Sequence, residues 1–262
     1  MKIAATTVGT QGPESPTQNT QRLEAAKQVL IAANELGADV LVLPGGYFTS
    51  DDYQSRQRIA NSLANEAKRL GIAVVFGVDE ESTGPSNSGV KGKKQQSSTG
   101  LSLYPMYAYV WSPTDNKKHW WQQRSIVAVK RQKPLINAYA EVRLVKIGAE
   151  TLAVLLCGEI FNQHIRDALR NCKSRPNVVA DLGHRGAGFK IFLGMEPLGE
   201  GEQGIASMCS IHVQGRNAKK RYCTPSMGYM STNCSDRIVK GPPRIEIKLL
   251  DFSLQNPAAC YH

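Results

Sequence analysis

The chain has 262 residues, of which 41% are hydrophobic, and its 32 basic against 22 acidic residues give a formal net charge of +10. This length accommodates one large α/β domain. The sequence shows no basic-then-apolar leader, and none of its apolar runs approaches the roughly 18 residues that a membrane-spanning helix needs. We therefore expect a cytoplasmic protein. Six cysteines are scattered without a CxxC pair, so we expect reduced thiols and no metal or other cofactor.

The basic excess raises the question of an acidic partner. Basic residues cluster most densely over 216–221, but Tyr222 is the one aromatic residue that adjoins such a cluster. Nucleic-acid modules usually interleave basic residues with stacking aromatics. The composition therefore favours a solvated basic surface over nucleic-acid binding.

The first part of the chain alternates strand and helix patterns. The apolar spacing predicts, in order, a strand over 1–8, a helix over 20–36, a strand over 38–44, a helix over 55–70 and a strand over 72–78. This succession is typical of a layered α/β fold. Residues 82–99 are polar and rich in Gly and Ser, which indicates a flexible loop inside one domain covering 1–262.

The remaining chain is richer in strands. A hairpin is predicted from 101–113 and 117–129, and a second strand pair from 141–147 and 151–157 joined through Gly148. The patterns that follow predict a helix after Cys157, a strand over 177–183, a helix over 204–217, and strands over 221–226 and 244–252.

Cys157 stands where a strand gives way to a helical pattern. Leu152 to Leu156 are apolar at every position, which suits a strand buried on both faces. The free backbone N–H groups at a helix start favour a thiolate and are able to hold an oxyanion. Cys157 is therefore either a reactive thiol or a small buried hydrophobic residue, and the local sequence leaves both interpretations open.

The order of these segments resembles the nitrilase superfamily of carbon–nitrogen hydrolases. The likeness is carried by "MKIAATTVGTQ", "GADVLVLPGGYF", "GIAVVFGV", the hairpin and "LAVLLCGEIF". It implies an α/β fold of the four-layer αββα sandwich type, a small amide, nitrile or carboxylate ligand, and a homo-oligomer. Family members usually bring a glutamate base, a lysine and a cysteine nucleophile together from three distant strand ends.

The resemblance assigns roles residue by residue. Cys157 matches the nucleophile, and Glu159 matches the acidic residue just after it. The position of the glutamate base is occupied by Gly45, which cannot accept a proton. Arg124 falls at the lysine position in the best alignment, with Gln123 as the alternative after a one-residue slip, and arginine cannot shuttle a proton.

Other residues are assigned to the pocket or weighed as a displaced base. On the resemblance, Gly45, Tyr47, Glu141 and His184 are expected to contact substrate. Asp51, Asp52, Glu141 and His184 are the candidates for a replacement base, although each is also typical of a solvated loop residue. The sequence thus predicts a hydrolase-like protein with a degenerate catalytic set and weak or absent activity. A non-catalytic binding or regulatory protein of the same fold is the alternative.

Overall fold

The computed structural model describes most of the segments that carry the predicted elements. The described residues are 1–9, 18–50, 52–80, 106–128, 131–134, 140–156, 158–159, 162–174, 176, 178–183, 203–207, 210–211, 234–239 and 244–251. Cys157, His184, Asp51, the predicted loop over 82–99 and the predicted strand over 221–226 lie outside them.

The first part of the chain follows the predicted alternation. It comprises β1 (Lys2–Gly9), α1 (Asn19–Glu35), β2 (Val40–Val42), β3 (Phe48–Ser50), α2 (Tyr53–Leu70) and β4 (Ala73–Glu80). Gly37 and Gly71 follow the two helices with φ of 74° and 72°, the left-handed conformation that a glycine at a helix end adopts most readily. The Asp52 side chain accepts a hydrogen bond from Ser55 N at 2.6 Å, which caps α2.

The second part contains the two predicted strand pairs and several short strands. It comprises β5 (Met106–Ser112), β6 (Lys117–Gln122), β7 (Ser125–Ala128), β8 (Arg131–Pro134), β9 (Leu144–Ile147), β10 (Glu150–Leu156), α3 (Gln163–Asn171), β11 (Val178–Leu182), β12 (Gln203–Ser207), β13 (Ser210–Ile211), β14 (Cys234–Val239) and β15 (Arg244–Asp251). β5 and β6 form an antiparallel hairpin, and so do β9 and β10.

Two larger sheets contain most of these strands. The nine-stranded sheet runs in the order β14-β15-β1-β2-β4-β5-β6, with β13 beside β1 and β3 beside β4. The four-stranded sheet runs β12-β11-β10-β9, and β7 and β8 form a separate pair. β10, β11 and β12 are parallel, so their carboxyl ends lie at the same edge.

Alternating side chains explain how the sheets pack. Leu152, Val154 and Leu156 of β10 join a core with β1, β2, β4 and β5 of the larger sheet. Ala153 and Leu155 point the other way and pack with α3. A further core lies between the larger sheet and helices α1 and α2. β10 is therefore buried on both faces, as its uninterrupted apolar run predicts, and the predicted four-layer arrangement of the whole chain stays a prediction.

One predicted helix is wrong. Residues 204–217 are predicted to be helical, but Gln203–Ser207 form β12, which pairs in parallel with β11 from Val178↔Gln203 to Leu182↔Ser207, and Ser210–Ile211 form β13. The rest of 204–217 lies outside the described residues. The backbone of β12 hydrogen-bonds to a buried neighbouring strand, and that long-range pairing overrides the local apolar spacing. No helix in the described part of the chain has the length and hydropathy to cross a membrane.

Candidate active site around residue 157

The strand ends that the resemblance assigns to the site lie next to one another. Leu156, the last residue of β10, is in register with Leu182 of β11. After β6, Gln123 donates from its backbone N to Met106 O at 2.7 Å and from its side chain to Leu156 O at 3.1 Å. Gln123 thereby links the larger sheet to the strand that leads into Cys157.

The Glu159 carboxylate is fully buried and surrounded by donors. Its Oε1 accepts hydrogen bonds from Arg124 N at 2.6 Å, from Arg124 Nε at 3.1 Å and from Arg143 Nη1 at 3.2 Å. Its Oε2 accepts from Arg124 Nη2 at 3.1 Å. Glu159 is 0% exposed and Arg124 is 1% exposed, so the ion pair is shielded from water and from salt.

The same carboxylate also holds the backbone just before residue 157. Leu156 N donates to Glu159 Oε2 at 3.2 Å, while Leu156 O accepts from the Gln123 side chain. Both polar groups of Leu156 are thus bonded to side chains from the site. Glu159 fixes the turn rather than serving as a free proton acceptor, because its two oxygens are occupied by five N–H groups at these distances.

Arg143 is a member of this cluster that the sequence analysis missed. Its Nη1 bonds Glu159, its Nη2 donates to Gln122 O at 2.6 Å, and its Nε lies 3.4 Å from Glu141 Oε2. Burial lowers the pKa of the Arg143 guanidinium and the Glu159 carboxylate opposes that shift. Arg143 shares its strand face with Val145 and Ile147, which are core residues, and an arginine at an inward position signals a buried acid.

Arg124 does not present its guanidinium as a free catalytic cation. Its Nε and Nη2 donate to Glu159, and its Nη1 donates to the backbone oxygen of Glu141. Gln123, the alternative from the one-residue slip, contacts the residue before Cys157 directly. Side chains that follow one another at a strand end point in different directions, and the structure directs Gln123 toward Leu156 and Arg124 toward Glu159.

Gly45 lies where two sheets and a turn approach closely. A methyl group added at Gly45 would stand 2.6 Å from Leu182 O and 2.6 Å from Met106 Sδ. On the neighbouring strand, a methyl group at Gly77 would stand 2.7 Å from the Gly45 Cα. The space that a residue-45 side chain needs is therefore filled by Met106 and by the backbone of β11.

The structure separates Tyr47 from the cluster. Tyr47 is buried in the core between the larger sheet and helices α1 and α2, and its hydroxyl donates to Arg22 O at 2.9 Å. The expectation that Tyr47 contacts substrate stays a prediction. Arg22 in turn donates to Tyr47 O at 3.0 Å, so the pair anchors the turn after Gly45 to α1.

Of the candidate displaced bases, Glu141 lies next to the cluster. Its side chain is 45% exposed and pairs with Arg143, while its backbone oxygen accepts from Arg124. Asp52 is engaged in capping α2, and Asp51 and His184 lie outside the described residues. Glu141 is thus a carboxylate at the boundary between the buried cluster and solvent.

The helix after Cys157 begins later than its sequence pattern indicates. α3 starts at Gln163, and the Asn162 side chain accepts from His164 N at 3.0 Å and Ile165 N at 3.4 Å. The first N–H groups of α3 therefore lie six residues after Cys157, and Asn162 caps them. Residues 158–159 form a 3₁₀ turn directly after Cys157, which itself lies outside the described residues, so the expectation that free backbone N–H groups favour its thiolate stays a prediction. Within the described ranges, no set of three His, Cys, Asp or Glu side chains is arranged to hold a metal ion.

The sheets and the helices that pack on them make this an α/β protein with a nitrilase-like fold, as predicted. A solved mutant of the amidase from Nesterenkonia sp. AN1, with the acetamide moiety of fluoroacetamide at its active site cysteine, matches over 74% of this chain and 69% of its own, with 16% identity and a TM-score of 0.50. That amidase is described as a member of the nitrilase superfamily.

Further structures of amidases from Nesterenkonia sp. show weaker likeness. A mutant in complex with butyramide is 16% identical with a TM-score of 0.49, over 70% of this chain and 65% of that chain. An amidase from Nesterenkonia sp. is 15% identical with a TM-score of 0.48, over 70% of this chain, which spans 64% of the amidase's length. No family model and no curated protein matches the sequence.

Proposed function

We propose that this chain is a divergent carbon–nitrogen hydrolase of the nitrilase superfamily in which Cys157 attacks a small amide or nitrile and turnover is slow or absent. The observation that carries the proposal is the pair of side-chain hydrogen bonds that hold the Leu156 backbone. Leu156 N donates to the Glu159 carboxylate, and Leu156 O accepts from the Gln123 side chain. Two side chains from separate strand ends hold one residue, directly before a cysteine, in a fixed conformation. Such preorganisation is typical of a reacting position.

The chemistry follows from the residue types. For an amide, the thiol sulfur bonds to the carbonyl carbon, the C–N bond breaks with proton transfer to nitrogen, and ammonia leaves. Water then splits the thioester to a carboxylic acid and regenerates the thiol. Both steps need proton transfer, and Gly45 supplies no group for it. At the lysine position, the Arg124 guanidinium is engaged by Glu159, and the alternative Gln123 offers a neutral amide donor instead of a positive charge for the oxyanion.

A binding or regulatory protein of the same fold is the second candidate. It is favoured by the closed space at Gly45, where Met106 and Leu182 leave no room for a base. In that case the pocket holds a small amide, nitrile or carboxylate without breaking a bond. The two candidates share the fold and differ in whether Cys157 forms a covalent bond with the ligand.

We expect ammonia release from short amides and nitriles to be far below an ordinary enzyme rate of about 1 per second. The absent base accounts for a loss of about 10² to 10⁴ in rate, and an altered oxyanion donor for up to a further 10² to 10³. The assay uses butyramide, acrylamide and matched nitriles, with Cys157→Ala as the blank.

Two outcomes of this assay would be decisive. Slow ammonia release that disappears in Cys157→Ala, together with an acyl adduct on Cys157 in the mass spectrum, supports the divergent hydrolase. Turnover of about 1 per second or faster that depends on Cys157 contradicts the degenerate catalytic set. Glu141 would then be the first residue to substitute as a base.

A further inference from the structure

We infer that Arg143 is a positioning residue that sets both the conformation and the charge of the Cys157 turn through Glu159. Arg143 does not reach this turn by itself. It bonds Glu159, and Glu159 bonds the backbone N of Leu156. The inference extends the proposed function, and only its alkylation experiment depends on a reactive Cys157.

Three separate segments meet at the Arg143 guanidinium. Nη1 bonds Glu159 after β10, Nη2 bonds Gln122 O at the end of β6, and Nε faces the Glu141 carboxylate. The Arg143 backbone oxygen also accepts from Val154 N at 3.1 Å, which ties the Arg143 backbone to β10. A lysine has a single nitrogen and cannot make the three diverging contacts of this planar guanidinium.

The charges of the cluster do not cancel inside the protein. Arg124 and Arg143 are almost fully buried and carry two positive charges, and the fully buried Glu159 carries one negative charge. The balancing Glu141 side chain is 45% exposed, so solvent screens it more strongly. Removing Arg143 would leave Glu159 paired with Arg124 alone, and the positive excess beside the turn would be lost.

The test compares Arg143→Met and Arg143→Lys with the unmodified protein. The rate at which iodoacetamide labels Cys157 is measured from pH 5 to 10 by mass spectrometry of the digested protein. We expect Arg143→Met to raise the pH midpoint of labelling by about one unit, because a nearby positive charge stabilises the thiolate. Arg143→Lys keeps the charge and should restore most of the midpoint. Arg143→Gln replaces Arg143→Met if the latter does not fold.

Arg22→Met is the matched control. Arg22 is also a buried arginine bonded to a backbone carbonyl, but it lies on the helix side of the larger sheet. The Arg22→Met variant should have a lower free energy of unfolding, while the pH midpoint of Cys157 labelling stays unchanged. An unchanged midpoint in Arg143→Met, a midpoint in Arg143→Lys equal to that of Arg143→Met, or an equal shift in Arg22→Met would overturn the inference.

Hydrogen exchange at the Leu156 amide separates this inference from the proposed function. Leu156 N donates to Glu159, so its exchange reports directly whether Glu159 keeps its position. We expect exchange about tenfold or more faster in Arg143→Met than in the unmodified protein and in Arg22→Met. If Cys157 is unreactive at every pH, the proposed function fails and this comparison decides the inference alone. Equal exchange in all three proteins would overturn it.

Discussion

Glu159→Gln should lower the free energy of unfolding by about 3–5 kcal/mol, the usual effect of removing one partner from a buried ion pair. The carboxylate accepts from Arg124, from Arg143 and from the backbone of Leu156. A glutamine would leave the buried Arg124 guanidinium without a counter-charge and Arg143 with only the partly exposed Glu141 carboxylate. Its NH₂ group would also face donors rather than acceptors. Urea unfolding followed by circular dichroism measures the change.

Glu66→Gln is the control for this substitution. Glu66 pairs with Arg69 at 2.6 Å on α2, and the Arg69 side chain is largely exposed. Exposed pairs of this kind contribute little, so Glu66→Gln should change the free energy of unfolding by less than about 1 kcal/mol. If Glu159→Gln costs as little as Glu66→Gln, the buried cluster does not hold the turn in solution.

Gly45→Ala should be the second strongly destabilising substitution. Its methyl group would stand 2.6 Å from Leu182 O and 2.6 Å from Met106 Sδ, well inside van der Waals contact. The Met106 side chain is able to move, but Leu182 O belongs to a β11 backbone fixed by its pairing with β10 and β12. Overpacking of this kind typically costs about 1–3 kcal/mol, and a backbone obstacle places this case at the upper end.

A second glycine distinguishes overpacking from the general cost of replacing glycine. Gly37 has a φ of 74° and would meet nothing within 4 Å, so Gly37→Ala is strained only through its backbone. Gly37→Ala should lower the free energy of unfolding by about 1–2 kcal/mol, the cost of a left-handed conformation for an alanine. Thermal and urea unfolding of both variants make the comparison. If the Gly45→Ala variant is as stable as the unmodified protein, the close packing of Gly45 against Met106 and Leu182 is contradicted.

The same packing bears on how the family's glutamate is restored. Gly45→Glu places a carboxylate at the position of the family's base, but this position has no room for even a methyl group. We therefore expect that Gly45→Glu disturbs the approach of the two sheets instead of returning a base. A base near Cys157 has to come from another position, and Glu141 is the described carboxylate next to the cluster.

The sequence predicted the order of most elements because apolar spacing directly reflects which faces are buried. The run from Leu152 to Leu156 indicated a strand covered on both sides, and the structure confirms this. The spacing could not show that β12 would pair with β11, because that pairing depends on residues more than twenty positions apart. Helical spacing over 204–217 was therefore misleading.

The site was harder to predict because side-chain direction and partners are set in three dimensions. Arg124 was identified at the lysine position, yet its guanidinium is engaged by Glu159 and Glu141. The sequence around Arg143 has an ordinary strand pattern and does not single this residue out, although its alternation with Val145 predicts an inward position. Glu159 matches the family's acidic residue just after the nucleophile, but its hydrogen bond to Leu156 N depends on the folded chain and is not visible in that match.

Competitive labelling of the six cysteines is the most direct test of Cys157 as the reactive thiol. The folded protein is treated briefly with a limiting amount of fluoroacetamide or iodoacetamide, digested and analysed by mass spectrometry. Cys172 is the internal reference, since its partly exposed thiol bonds Leu169 O and Ser174 O at 3.1 Å on the far end of α3. We predict that Cys157 is labelled first and at a lower pH than Cys172. Labelling of Cys172 or another cysteine before Cys157 would contradict the proposed role of Cys157.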